Sequence, residues 1–300
     1  MPEQRPVIET SIRQLQIAED GRTVWVTRLP SRLQNVDLAT GRVLIDLPVP
    51  ECQSPAPLGM NASRHMVFLN HSGQPMVQRI GYEEEPVALH RVRDAKIGRI
   101  AVNPRDNVVV LATNHALELC SWSHPDRRHA IVAQDRRCGA LAWSPDGTQL
   151  LVVDQDGWLS LRDGRTLAEL ARTATHIEFG IRAAWSQNGR FALAYGSNGP
   201  IAVWDTHTPA AGPRHLEFEL RFTAALSPDG RQIAICDPER QVWLININDP
   251  GDRICLDHVP TLANAICYTP DGGRLLVGTL NGELLCWSLV EERWLWTLGG

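Results

Sequence analysis

Seven cysteines, ten histidines and a scatter of loop arginines are the side chains with most chemistry to offer in this sequence. Cys120, His124 and His129 lie close together, and spaced thiolate and imidazole donors are zinc ligands. The residues between the two histidines, Pro125-Asp-Arg-Arg128, are ordinary turn chemistry, and no second ligand pair follows at zinc-finger spacing. Asp154-Gln-Asp-Gly157 opens like a calcium loop, but the bidentate glutamate due at its twelfth position falls on Arg165. Both segments read as turns, so no metal and no other cofactor is expected. His65 and His71 flank a predicted strand and read as exposed turn-end residues.

The cysteines (Cys52, Cys120, Cys138, Cys236, Cys255, Cys267, Cys286) form no CxxC pair, and most sit inside apolar runs. That pattern implies buried free thiols in a reducing cytosol. No Gly-x-Ser-x-Gly elbow or Walker loop is present. The chain is 43% hydrophobic and 21% charged, enough to bury a sizeable core. Its apolar runs fall short of the ~18–20 residues of a membrane helix, and Met1–Thr10 has no apolar signal region. A cytoplasmic chain without membrane insertion is expected. Lys96 is the only lysine among the basic residues, a bias of GC-rich codons that suggests a bacterial source. Net charge of −5 speaks against sequence-independent nucleic-acid binding, although a local basic patch keeps that reading open.

The elements that position these residues come from a repeat. Leu141-Ala-Trp-Ser-Pro-Asp-Gly147 is followed by Ala183-Ala-Trp-Ser-Gln-Asn-Gly189, Ala224-Ala-Leu-Ser-Pro-Asp-Gly230 and Ile266-Cys-Tyr-Thr-Pro-Asp-Gly272. The turn residues 146, 188, 229 and 271 are spaced by 42, 41 and 42, and stepping back reaches Arg105, Ser63 and Asp20. Seven units of about 42 residues indicate a β-propeller. Within residues 138–172 four strand-length runs are separated by Asp-Gly turns, the strongest short-range hairpin signal. The expected architecture is all-β: one seven-bladed propeller over residues 11–300, four antiparallel strands per blade, after an N-terminal segment 1–10. Blades 1 and 7 each have four strands of their own. Closure by side-chain packing between them is therefore expected, with Pro6–Thr10 available as an added edge strand.

The Ser-Pro-Asp-Gly turn, the second Asp-Gly or Asn-Gly turn and a following Trp resemble WD40 repeats. Val203-Trp204-Asp205 is a complete Trp-Asp signature, and Val242-Trp243, Cys286-Trp287 and Ser121-Trp122 are partial matches. The chain departs from the family in having no Gly-His dipeptide, so the family's Asp–His–Ser/Thr–Trp network has no usual counterpart. The resemblance implies a non-catalytic scaffold or adaptor that presents its faces to partner proteins in a complex.

The innermost strands read QLQIA, LGMN, RIAVN, ALAWS, AAWS, AALS and AICYT, without Asp, Glu or His, so an enzyme is not expected. An enzymatic alternative would recruit loop residues at the channel mouth, such as Asp94, Asp135 or His176. Arg91, Arg93, Lys96, Arg136 and Arg137 fall in the loops entering blades 3 and 4, with Arg182 and Arg221 at later strand starts. These five are the expected partner-binding residues, facing an acidic protein or, alternatively, a polyanion such as nucleic acid. Glu83-Glu84-Glu85 is expected on the opposite face. Burial between blades is expected of most of the ten tryptophans. Trp294 and Trp296, alternating on the last strand, are candidates for an exposed interaction edge.

Overall fold

The computed structural model describes residues 11–299 apart from 19, 29–31, 49–58, 62, 71, 83, 90–95, 178–181, 197–199 and 219–222, and apart from the side chains of 126–128. Seven four-stranded antiparallel sheets follow one another along the chain, at residues 12–48, 59–88, 99–133, 138–174, 182–216, 224–258 and 263–298. They are numbered here as blades 1 to 7. In each, the strands pair in sequence order, and the described residues contain only one helical turn, Pro209–Ala211. This is an all-β seven-bladed propeller, as the 42-residue period implies.

The repeated turn explains why the strands start where they do. Ser144 Oγ donates to Asp146 Oδ1 at 2.6 Å and accepts the Gln149 N–H at 2.9 Å. Ser186 with Asn188, Ser227 with Asp229 and Thr269 with Asp271 repeat the device. Each turn then needs a residue at positive φ, and Gly147, Gly189, Gly230 and Gly272 supply it at 73°, 72°, 71° and 70°. Blade 4 follows the expected strand pattern except at its last strand, which begins at Glu169. Leu167, expected in that strand, instead turns at φ 59° and is fully buried in the core between blades 3 and 4.

The chain forms two compact units. One comprises residues 1–49 and 220–300, the other residues 50–219. In the first, blade 1 packs beside blade 7, as expected of two complete blades. Ile12, Val24 and Val36 share a core with Leu276, Leu284 and Cys286. Asn264 Nδ2 donates to the Ile12 carbonyl at 2.8 Å, and Arg28 and Arg274 donate to the carbonyls of Gly282 and Leu38. A Cβ on Gly278 would sit 2.5 Å from Ile12 Cγ2, so only glycine allows this approach. The proposed edge strand Pro6–Thr10 lies outside the described residues.

Trp294 and Trp296 serve that packing. The Trp294 indole donates to Asp257 Oδ2 of blade 6 at 2.7 Å and meets Trp287 edge-to-face at 4.9 Å. The Trp296 indole donates to Leu38 of blade 1 at 3.1 Å. Both rings are half-buried braces to the flanking blades and do not form a free edge.

In the second unit, indoles link successive first strands. Trp143 donates to the Ala101 carbonyl at 2.9 Å and Trp185 to the Ala142 carbonyl at 3.0 Å. Strand register corrects part of the tryptophan pattern. Trp204 pairs with Ala192 and Trp287 with Leu275, equivalent positions on the third strands of blades 5 and 7. Trp243 pairs with Ile235, which places it two residues earlier, and Trp122 lies just past the end of its strand. The equivalent position in blade 4, opposite Leu150, is Arg162.

Candidate interaction face on blades 3 to 5

The loops into blades 3, 4 and 5 and the turns between second and third strands meet at one end of the strands. Lys96 is exposed ahead of blade 3, Arg136 and Arg137 are exposed ahead of blade 4, and Arg182 is the exposed first residue of blade 5's first strand. Arg91, Arg93, Asp94 and Arg221 lie outside the described residues. Arg99, at the start of blade 3, crosses to blade 4 and donates from Nε to the Gly139 carbonyl at 2.7 Å. It is a basic residue of this face that its place on an inner strand concealed in the sequence.

The two neighbouring arginines differ. Arg137 has an exposed guanidinium without an ion-pair partner among the described residues, while its carbonyl accepts the Gln155 N–H at 2.9 Å. Arg136 is neutralised, with Nε 3.2 Å from Asp156 and Nη1 3.7 Å from Asp154. Arg172, from the last strand of blade 4, approaches the same Asp154 oxygen, Oδ2, at 3.6 Å. The Asp154 carboxylate is itself held by the turn: its Oδ1 accepts the N–H groups of Asp156 and Trp158 at 3.0 and 2.9 Å. Asp154-Gln-Asp-Gly157 is thus a hairpin turn, with Gly157 at φ 80°.

Trp158 leaves that turn with its ring exposed. Arg172 lies 4.6 Å and Arg136 5.9 Å from its centroid, within cation–π range. Deeper on the same sheet face Arg162 is mostly buried. It donates to the Leu167 carbonyl at 3.0 Å and pairs with Glu169 at 3.3 Å. Burial lowers its pKa and the Glu169 charge acts to raise it. Asp135, the loop acid considered for catalysis, lines the same hollow as Asp154 and Glu169. Trp158, Arg162 and Arg172 were not singled out from sequence. One signal does exist: sixteen residues beyond Asp146, Asn188 and Asp271 stand Arg162, Trp204 and Trp287.

The other candidate groups are dispersed. Cys120 is buried in the core between blades 2 and 3, whereas the His124 and His129 rings meet each other edge-to-face at 6.2 Å on exposed strand. His176 stands at φ 56° with its ring 5.8 Å from that of His215. Of the six described cysteines four are buried, Cys267 is half-buried and Cys255 is exposed. Burial pushes the Cys138 thiol up to about 12 and the Cys236 thiol to about 11, which removes their nucleophilic thiolates at neutral pH. Glu84 and Glu85 are exposed between the third and fourth strands of blade 2, at the end of the sheet away from the inter-blade loops.

A comparison with known protein families and with curated proteins finds no match to this chain.

Proposed function

We propose that the protein is a non-catalytic scaffold of the WD40 kind, a bacterial cytoplasmic adaptor that binds partner proteins through the loop ends of blades 3 to 5. The reading is carried by one observation: Lys96, Arg137 and Arg182 are exposed on the approaches to three successive blades of one compact unit. A rim of like charge speeds encounter with an acidic partner, and arginine's planar fork suits carboxylates. Support for the WD40 kinship comes from the Ser/Thr–Asp turn in blades 4, 6 and 7 and from Trp204 and Trp287 at equivalent register. The step from propeller to scaffold is an analogy of fold.

The test is affinity capture from native lysate with Lys96, Arg137 and Arg182 all changed to Glu. Arg136 stays, because reversing it would set a third carboxylate against Asp154 and Asp156. The expected result is an unchanged melting temperature with loss of partners that are also lost as salt rises. Capture at wild-type yield across the salt range rejects this face.

A further inference from the structure

At two third-strand positions blade 4 differs from blades 6 and 7 in the side chains it carries. Opposite the strand position of Leu150 it has Arg162, where blades 5 and 7 have Trp204 and Trp287. Opposite Val152 it has Ser160, where blade 6 has Trp243 and blade 7 has Leu285. In blade 6 that side chain fills its space, and the Trp243 indole donates to Asp237 Oδ2 at 2.8 Å. Asp237 is the register equivalent of Asp154. In blade 4 no indole is present, and the guanidiniums of Arg136 and Arg172 approach the Asp154 carboxylate instead. A cavity of about 230 Å³ remains there, bounded by the end of blade 3's last strand and by Asp154, Trp158, Ser160, Arg162 and Arg172.

The three guanidiniums that line the cavity keep N–H groups beyond those they direct at Asp154, Asp156, Leu167 and Glu169. Arg172 and Arg136 meet carboxylates at 3.2–3.7 Å without forming a hydrogen bond among the described residues. Arg162 Nε is buried without a partner. Each guanidinium offers five N–H groups, so the site calls for an acceptor-rich occupant. The one buried acceptor without a partner in the lining is Gln134 Oε1. The volume is below the ~300–1,000 Å³ of ordinary small-molecule sites and suits one inserted side chain. Three arginines are matched in the lining by Asp135, Asp154 and Glu169, so a run of phosphates meets no net positive field. A single carboxylate carries less charge into that balanced lining and can accept the N–H groups of Arg136 and Arg172 that face away from Asp154.

We infer that this cavity receives a glutamate or aspartate side chain from an acidic segment of a partner protein. Arg136 and Arg172 hold the carboxylate, and the aliphatic part rests against the exposed Trp158 ring. The inference rests on the interaction reading above and extends it from the loop rim to the flank of blade 4.

The test is fluorescence anisotropy at low salt with the full chain and four labelled probes: a decapeptide alternating Glu and Ser, its Gln–Ser counterpart, a phosphoserine counterpart, and single-stranded DNA. The Glu–Ser peptide is expected to bind, and the Gln–Ser peptide is not. Arg136→Gln with Arg172→Gln should weaken the Glu–Ser peptide by about tenfold or more. Trp158→Ala should weaken it, Arg172→Lys should fall between, and Arg231→Gln should match wild type. Circular-dichroism melts establish that each variant is folded. Equal binding of the Gln–Ser peptide, unchanged affinity in the double variant, tighter binding of DNA or the phosphopeptide, or no Glu–Ser binding up to roughly 1 mM each overturns the inference. Lysate capture in parallel separates the two readings. Partners held equally by wild type and the double variant remove the cavity but keep the scaffold. No partner for wild type removes the scaffold.

Discussion

Trp296 of blade 7 donates its indole N–H to the Leu38 carbonyl of blade 1 at 3.1 Å, and Gly41 lies directly under its ring. A Cβ on Gly41 would stand 2.7 Å from Trp296 Cδ2, at a φ of +71°. Gly41 and Trp296, one from the first blade and one from the last, therefore depend on each other's shape where the two blades join.

Trp296→Ala should lower stability by about 3 kcal/mol, near the lower end for removing a large aromatic because the ring is half-buried. Trp296→Phe, which keeps most of the packing and loses the hydrogen bond, should cost about 1 kcal/mol. Gly41→Ala should also destabilise, because the methyl meets the ring and the backbone is left-handed there. Denaturant unfolding of the three variants checks the order.

The repeated turn glycines are not equivalent. Gly272 sits at φ +70° with only Pro228 atoms nearby, at 3.8 Å, so Gly272→Ala should cost about 1–2 kcal/mol for backbone strain alone. At Gly147 an added Cβ would lie 2.5 Å from Asn103 Oδ1. Asn103 accepts the Arg105 and Asp106 N–H groups and donates to the Gly147 carbonyl, so it cannot yield freely. Gly147→Ala should therefore cost more than Gly272→Ala, measured by the same unfolding experiment. Equal costs would show that Asn103 moves aside.

Stability should fall in acid, below about pH 4. The Asp271 carboxylate is held below the usual carboxylate range by the Thr269 hydroxyl, Asp163 by Thr166, and Asp205 by Arg190. A depressed folded-state pKa adds stability above the unfolded value and loses it as pH falls through the folded one. Melting temperature should thus be nearly flat from pH 6 to about 5 and drop from about 4 downward. Asp271→Asn should lower stability at pH 6 and flatten the acid slope, and a slope as steep as wild type's would discount this carboxylate.

The blade count and strand order were legible because their signals are local. A Ser-Pro-Asp-Gly turn closes on its own side chains within five residues, so Ser144, Ser227 and Thr269 announce hairpins wherever they fall. The tryptophans were harder to place, since a third-strand residue's role depends on what it pairs with. Trp243 and Trp204 look alike in sequence, but the pairing sets them two residues apart, with different neighbours.

The proposed interaction face was half legible. Loop position and charge pointed to Arg91, Arg93, Lys96, Arg136 and Arg137; the first two lie outside the described residues and the other three are exposed. Composition cannot tell a free arginine from a neutralised one. Arg136 meets Asp154 and Asp156 only because blade 4's second turn folds back beside the loop that enters it. The cavity by Trp158 was hidden for a related reason: it depends on Ser160 standing at the register where blade 6 has Trp243 and blade 7 has Leu285. Period and turn chemistry are properties of neighbouring residues and can be read along the chain. Which charges cancel and which spaces stay unfilled are set by side chains from strands brought together in folding, and only the tertiary structure decided them.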